Sequence, residues 1–367
     1  MTLIAPRSSV NADVDRGLYH LFNVAIRTDG SSRSRTQVLF FTDTSTLPAV
    51  LDEDKATATW IQFEAVQPDS IPNMLQSETE APVLFVLPMI NPAHALSDAL
   101  FSIALDNFSS RPKSHYCADH YFLANHAPVD GNYGSNNWCQ FMHHKLNIVS
   151  PEAELFADTD KKGETLFFRH LLMPKYMRHR FAADWGALAP CQPGGYIDQS
   201  EGLYPLDVLL EMRRRLFRNC FDSVPSRNLT EQSLLIYDRG DTHRRRWSNA
   251  GETVNMIRNT FSNRFSSIQF LSEDYGNLSP LEQAWLFHDS SVVISPHGGA
   301  LSNLIFCRPG TRVIEFTDQI SPWGWFTFCS RLGMEHIQYK PPSLVEHYPE
   351  QFEVQPEEIR HLLEALV

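Results

Sequence analysis

The residues best suited to chemistry cluster within residues 291–316. His297, Gly298 and Gly299 follow a short β-branched run, Val292-Val293-Ile294. They precede residues 300–306, where Leu301, Leu304 and Ile305 recur at helical spacing. Pro309-Gly310 then marks a turn, and Glu315 stands near the end of a second apolar run, 312–316. A buried strand, a glycine turn, a helix start and a strand ending in a carboxylate together suit a nucleotide. The glycines let backbone approach a phosphate, the helix amino terminus attracts its charge, and the acid accepts hydrogen bonds from ribose hydroxyls. The gap from Gly298 to Glu315 is near the roughly 20 residues expected between such a loop and its acid. The same pattern also suits an ordinary buried βαβ unit with a tight turn.

A second cluster is Asp238-Arg239-Gly240-Asp241-Thr242-His243-Arg244-Arg245-Arg246, with Asn249 just beyond. It follows a predicted strand at 233–237. Ligands of open α/β sheets gather beyond the carboxyl ends of the strands. Arginine suits a diphosphate there because its planar fork gives bidentate, charge-assisted hydrogen bonds. Alone, three adjacent arginines read as a solvated basic loop; a strand end beside a glycine turn favours a phosphate site. His94 and Asp98 are a third pair. They lie four apart on a helix predicted to open at Asn91-Pro92, so they share one face. Asp158-Thr159-Asp160 could hold a divalent ion through its carboxylates, but the following Lys161-Lys162-Gly163 fits a solvated turn better. His115, Cys117, His120, His126, Cys139, His143 and His144 crowd one segment at spacings that match no usual zinc pattern. The aromatic run Trp323, Trp325, Phe326 and Phe328 reads as core packing.

These groups need a scaffold, and the chain is long enough for one. Its 367 residues suggest two domains. With 43% hydrophobic and 20% charged residues it can bury a sizeable core. A net charge of −12 argues against nucleic acid or an anionic membrane surface as the main partner, and makes Arg213-Arg214-Arg215 and the later arginines local features. No apolar run reaches the roughly 18 residues of a membrane span, and MTLIAPRSSV lacks the pattern of a signal peptide. The six cysteines are scattered without a CxxC, and sequons at Asn107, Asn228 and Asn277 lend only weak support to a secretory lumen. Compartment and oligomeric state stay open.

Strands are predicted at 18–26, 37–41, 60–66, 82–87 and 164–173, with 111–150 irregular, a helix at 206–218 and a linker at 224–228. From 233 the pattern alternates. Strands at 233–237, 268–271, 292–294, 312–316 and 336–339 are separated by helices ending near 261, 288 and 332. Two capping boxes are expected, Asn249 with Glu252 and Ser279 with Glu282. A last helix is expected at 356–366. This order predicts a parallel, doubly wound sheet.

Taken together, N-P-x-H-x-x-x-D at 91–98, D-R-x(4)-R-R-R-x(2)-N at 238–249, and H-G-G-A-L-S-N followed by P-G-T-x-V-I-E over 297–315 resemble glycosyltransferase family 61. That family includes plant xylosyl- and arabinosyltransferases and animal O-linked N-acetylglucosaminyltransferases. The resemblance implies two Rossmann-like α/β domains (the GT-B type) with a cleft between them. It implies inverting transfer from a UDP-sugar, with xylose or N-acetylglucosamine foremost, to a glycan or protein hydroxyl, with no metal and no other cofactor. The domains would be 1–225 on the acceptor side and 226–345 on the donor side. Residues 346–367 would form a C-terminal helix able to cross back to the first domain. Carried over, Arg239, Arg245 and His297 would hold the diphosphate beside the Gly298-Gly299 backbone. Ser302 and Asn303 would open the helix at that site, and Glu315 would bind ribose. Arg244 and Asn249 belong to the same donor motif, and the choice among Arg244, Arg245 and Arg246 stays open. Asp98 would be the general base, with His94 second. The family's usual H-G-A-G-L differs here by an exchange of Gly and Ala. Rival readings are a non-catalytic nucleotide-sugar or glycan binder that keeps the fold, and a metal-dependent transferase using Asp158 and Asp160. Family members in eukaryotes are usually Golgi or endoplasmic reticulum residents, so the lumen is expected if an anchor precedes this chain and the cytoplasm otherwise.

Overall fold

Two long apolar runs, β2 (Leu18–Arg27) and β9 (Thr165–Pro174), pair antiparallel at the centre of the first sheet. Around them lie β1 (Ser9–Asn11), β3 (Thr36–Phe41), β4 (Ile61–Val66), β5 (Leu75–Gln76), β6 (Val83–Val86), β7 (Ala118–Leu123) and β8 (Val149–Ala157). In this computed structural model the described residues of the N-terminal half are essentially those strands, with residues 7, 42–43, 46–48, 67, 138, 141–142 and 144–146. Beyond them the structure describes residues 206–221, 232–318, 325–345 and 349–366. The sheet runs β4-β3-β2-β9-β6-β7-β8, with β1 on β2 and β5 on β9. β2 is antiparallel to both β3 and β9, whereas β6, β7 and β8 run parallel. The first unit is thus built on a mixed sheet and not on the all-parallel sheet of a Rossmann-like domain. Strand β7 lies in a stretch expected to be irregular.

The second sheet follows the alternation closely. Its strands are β10 (Ser233–Tyr237), β12 (Ser267–Leu271), β13 (Val292–Pro296), β14 (Arg312–Phe316) and β15 (Glu335–Tyr339). All pair in parallel, in the order β12-β10-β13-β14-β15. Two further short strands, β11 (Arg246–Trp247) and β16 (Gln351–Phe352), pair in parallel with each other. The helices are α1 (Leu206–Phe221), α2 (Ala250–Phe261), α3 (Pro280–Asp289), α4 (Trp325–Arg331) and α5 (Pro356–Leu366), with a 3₁₀ helix at Gly299–Phe306. Leu234, Ile236, Ile294, Ile314 and Phe316 pack with Val254 and Ile257 of α2 and Ile359 and Leu363 of α5. The alternate residues Leu235, Val293 and Val313 are also fully buried, as expected of parallel strands covered on both faces.

The chain folds as two compact units, Met1–Arg180 and Phe181–Val367. That places α1 in the second unit, upstream of the expected boundary at 225. The reason is packing. Val208, Leu209, Met212 and Leu216 of α1 are buried, and Phe221 meets Trp285 of α3 edge-on at 4.5 Å. Arg213 is buried too, and donates through Nη1 to the Leu332 carbonyl at 3.0 Å and through Nη2 to the Cys307 carbonyl. A cation donating to carbonyls at helix ends suits the field there. The first arginine cluster therefore has a structural use, and Arg214 and Arg215 pair with Glu211 on the helix surface. Helix α5 packs on α2 within this unit. At α3, Ser279 and Glu282 form the predicted capping box with Pro280 in the first turn. Among the described residues no helix is long and apolar enough to cross a membrane.

Candidate active site

The order of the second sheet reverses between β10 and β13, and the crevice at such a switch point is where an open α/β sheet receives a ligand. β10 runs into Asp238-Arg239-Gly240, and β13 into His297-Gly298-Gly299. Asp238 shapes the first turn. Its Oδ1 accepts the Gly240 N–H at 2.7 Å, and its Oδ2 accepts the Ser272 hydroxyl at 2.9 Å, tying the turn to the end of β12. Arg239 adopts a φ of 62°, the left-handed region a non-glycine residue seldom enters. Its guanidinium lies against Gly298, so closely that a Cβ there would fall 1.6 Å from Nη1. Arg239 is only 9% exposed. Its Nε donates to the Arg244 carbonyl at 3.2 Å, and no carboxylate among the described residues forms an ion pair with it.

The His297 N–H donates to the Phe316 carbonyl at 2.8 Å, continuing the β13–β14 ladder. Its ring is 24% exposed, and Nδ1 lies 2.5 Å from Glu315 Oε1. Nε2 is therefore the nitrogen left for a ligand. Glu315 is sealed in, with 1% of its side chain exposed, and its Oε2 lies 3.0 Å from His336 Nε2. Burial pushes the Glu315 pKa up, but the charge and hydrogen bond of His297, with a further contribution from His336, outweigh it and hold the pKa at about 2. The carboxylate expected to receive ribose hydroxyls is thus turned inward and occupied by two histidines. Ser302 and Asn303 are buried as well. Ser302 donates to the Gly299 carbonyl at 2.7 Å, and Asn303 donates to the Tyr275 hydroxyl at 2.9 Å and to Gln283 at 3.2 Å. These bonds brace the 3₁₀ helix internally.

The glycosyltransferase 61 family model matches residues 93–314, more than half of the chain. The chain belongs to glycosyltransferase family 61. The matched span includes both turns at the switch point, so the enzyme's family signature and its candidate site coincide. No curated protein matches the chain significantly.

The arginine segment of this glycosyltransferase is held by its own C-terminal strap. The Arg245 N–H donates to the Pro349 carbonyl at 2.6 Å and the Arg246 N–H to Glu350 at 3.1 Å, as β11 pairs with β16. The Trp247 N–H donates to the Asp238 carbonyl at 2.9 Å, which returns the segment to the first turn. Arg245 is a second left-handed residue, with φ 59°, and Arg244 is exposed. Asn249 is engaged with the strap. Its Oδ1 accepts from Trp247 Nε1 at 2.9 Å and from the Val354 N–H at 3.0 Å, while Nδ2 donates to the Val354 carbonyl at 3.0 Å. With its side chain so used, Asn249 makes no side-chain cap on α2, and the expected capping box does not form. Replacing Asn249 with alanine removes all three bonds. It is expected to lower stability by about 2–3 kcal/mol. An unchanged urea midpoint would show that the strap is held without it.

His94 and Asp98 lie outside the described residues, as do Asp158 and Asp160, and most of the His/Cys-rich segment. Among the described residues no group of three His, Cys, Asp or Glu side chains is arranged to hold a metal. Two residues of the site escaped the sequence reading, Trp247 and His336, because their places depend on the register of distant strands. Asp238 enters that reading only as part of the arginine cluster, although D-x-G also marks an Asx turn.

Proposed function

We propose that this glycosyltransferase binds the diphosphate of a UDP-sugar between Arg239 and His297. It then transfers the sugar, xylose or N-acetylglucosamine, with inversion to a hydroxyl of a glycan or protein. The observation that carries this reading is Arg239, a buried guanidinium that forms no direct ion pair among the described residues, with Asp241 felt only through its charge, seated on Gly298 at the switch point. A buried cation so incompletely compensated favours a ligand that supplies the opposite charge. Its fork matches two phosphate oxygens, and His297 Nε2 adds a donor from the adjacent strand. Inverting transfer needs stabilisation of the departing diphosphate and a base for the acceptor hydroxyl. Arg239, His297 and the arginine segment meet the first need in a metal-free mechanism. The base is assigned to Asp98, with His94 second.

A thermal-shift panel of nucleotides and nucleotide sugars on wild type and His297→Ala tests the site. A ligand at 100 times its dissociation constant stabilises by about 2.7 kcal/mol, which for a protein of this size raises the midpoint by several degrees. UDP and its sugars are expected to raise the wild-type midpoint clearly and the variant's less. If no nucleotide raises the wild-type midpoint, or the variant responds equally, the donor site is misassigned. Release of UDP from the best-bound donor should then persist in EDTA; activity lost to chelator and restored by manganese would replace the metal-free part of the proposal.

A further inference from the structure

Behind His297 lies a polar group that diphosphate binding alone does not require. Glu315 and His336 are each only 1% exposed at the side chain, deep in a sheet otherwise lined by Val, Ile and Phe. Pairing of β14 with β15 sets Val313 opposite His336 and Glu315 opposite Gln338, so Glu315 and His336 are diagonal neighbours on one face. His336 Nε2 comes within 3.0 Å of Glu315 Oε2, close but off-axis for a hydrogen bond, and its Nδ1 finds no hydrogen-bond partner among the described residues. Gln338 Nε2 stands 3.5 Å from the same oxygen. Among the described residues the other titratable groups nearby are Cys329 of α4, whose thiol is pushed well up by burial, by Cys307 and by Glu315, and the Arg239 guanidinium over Gly298. A brace between strands would need no member at the surface. This one ends in His297, which reaches the surface beside Arg239.

We propose that Glu315 and His336 are positioning residues that act through His297. Glu315 fixes the ring with Nε2 outward and supplies the counter-charge for a protonated imidazole, and His336 sets how much of that charge His297 receives. The chemistry follows from the hydrogen-bond inventory. With Nδ1–H given to Glu315, His297 can donate at Nε2 only as the imidazolium. The carboxylate held beside Nδ1 is the counter-charge that such a form needs. His336 contacts the other oxygen and competes for the same negative charge. The device rests on the reading of His297 as a diphosphate ligand, since a phosphate oxygen is what a charged Nε2–H would meet there.

The test follows His297 by NMR in protein labelled at histidine, without ligand, the signal being assigned by its loss in His297→Ala. Glu315→Gln keeps the shape and removes the charge. It is expected to move the pH at which His297 titrates below the wild-type value. His336→Phe removes the competitor and is expected to raise that pH, while a purely structural role would lower the unfolding midpoint and leave the titration where it was. UDP is then added at neutral pH. Glu315→Gln is expected to bind it at least 10-fold more weakly than wild type, as loss of a charged hydrogen bond predicts. The relay is overturned if His297 titrates at the wild-type pH in either variant that folds. If UDP leaves the wild-type His297 signal unmoved, the diphosphate reading fails instead, and the ligand-free titration still decides the relay.

Discussion

Arg239→Ala is expected to lower kcat/KM by about 100- to 1,000-fold, the usual effect of removing one preorganised donor from a developing anion. Stability should change far less. The side chain makes one hydrogen bond, from Nε to the Arg244 carbonyl, and no ion pair among the described residues. The left-handed φ of 62° is as unfavourable for alanine as for arginine, so the backbone gains no relief. Arg239→Lys should recover only part of the loss, because an ammonium keeps the charge and forfeits the fork. Steady-state release of UDP, read beside a urea midpoint, separates the two effects. An alanine variant that turned over like wild type would remove Arg239 from the mechanism. A fall in activity matched by global destabilisation would make it a structural cation like Arg213.

Residues 233–366 are where local pattern and tertiary structure agree. The β-branched runs, Pro280 and Ser279 are local signals, and each found its predicted place. Parallel strands buried on both faces also leave little freedom of register. The site divides along the same line. Arg239, His297 and Gly298 stand at strand ends, so alternation alone brought them to the switch point. The side chains assigned to the donor by motif have contacts that the motif does not show. Glu315, Ser302, Asn303 and Asn249 are polar residues near a predicted phosphate site, and the resemblance says nothing of their partners within the fold. The structure spends them inward, on His297 and His336, on the Gly299 carbonyl, on Tyr275 and on the C-terminal strap. Buried backbone and side-chain polar groups near a tight turn need partners as much as a ligand does. Which need a given side chain meets depends on contacts as remote as Val354 or His336, and no local pattern carries them. The place of α1 depends on a related kind of contact. The amphipathic face of α1 is visible in the sequence, but not which sheet it covers.

The glycine of the His297 turn offers the sharper test of the site, because it links two elements through one contact. Gly298 has a φ of 168°, an extended value open to any residue, so backbone strain does not require glycine there. Arg239 does. A Cβ at 298 would lie 1.6 Å from Nη1 and 2.8 Å from Cζ. Both atoms belong to the far end of a flexible side chain, which can swing aside at little cost to the fold. Gly298→Ala is therefore expected to unfold within about 1 kcal/mol of wild type, as substitutions that relieve themselves by a rotamer change usually do. Its kcat/KM should fall by about 10- to 100-fold, since displacing a positioned charge by an ångström or two loses much of what it does. The effect should also vanish in context. In an Arg239→Ala background the added methyl meets no guanidinium, and Gly298→Ala should cost almost nothing further. Additive losses in that double-mutant cycle would mean that Gly298 serves a ligand's approach directly, with Arg239 acting elsewhere. Full non-additivity would place the guanidinium, held over the glycine turn, at the centre of donor binding.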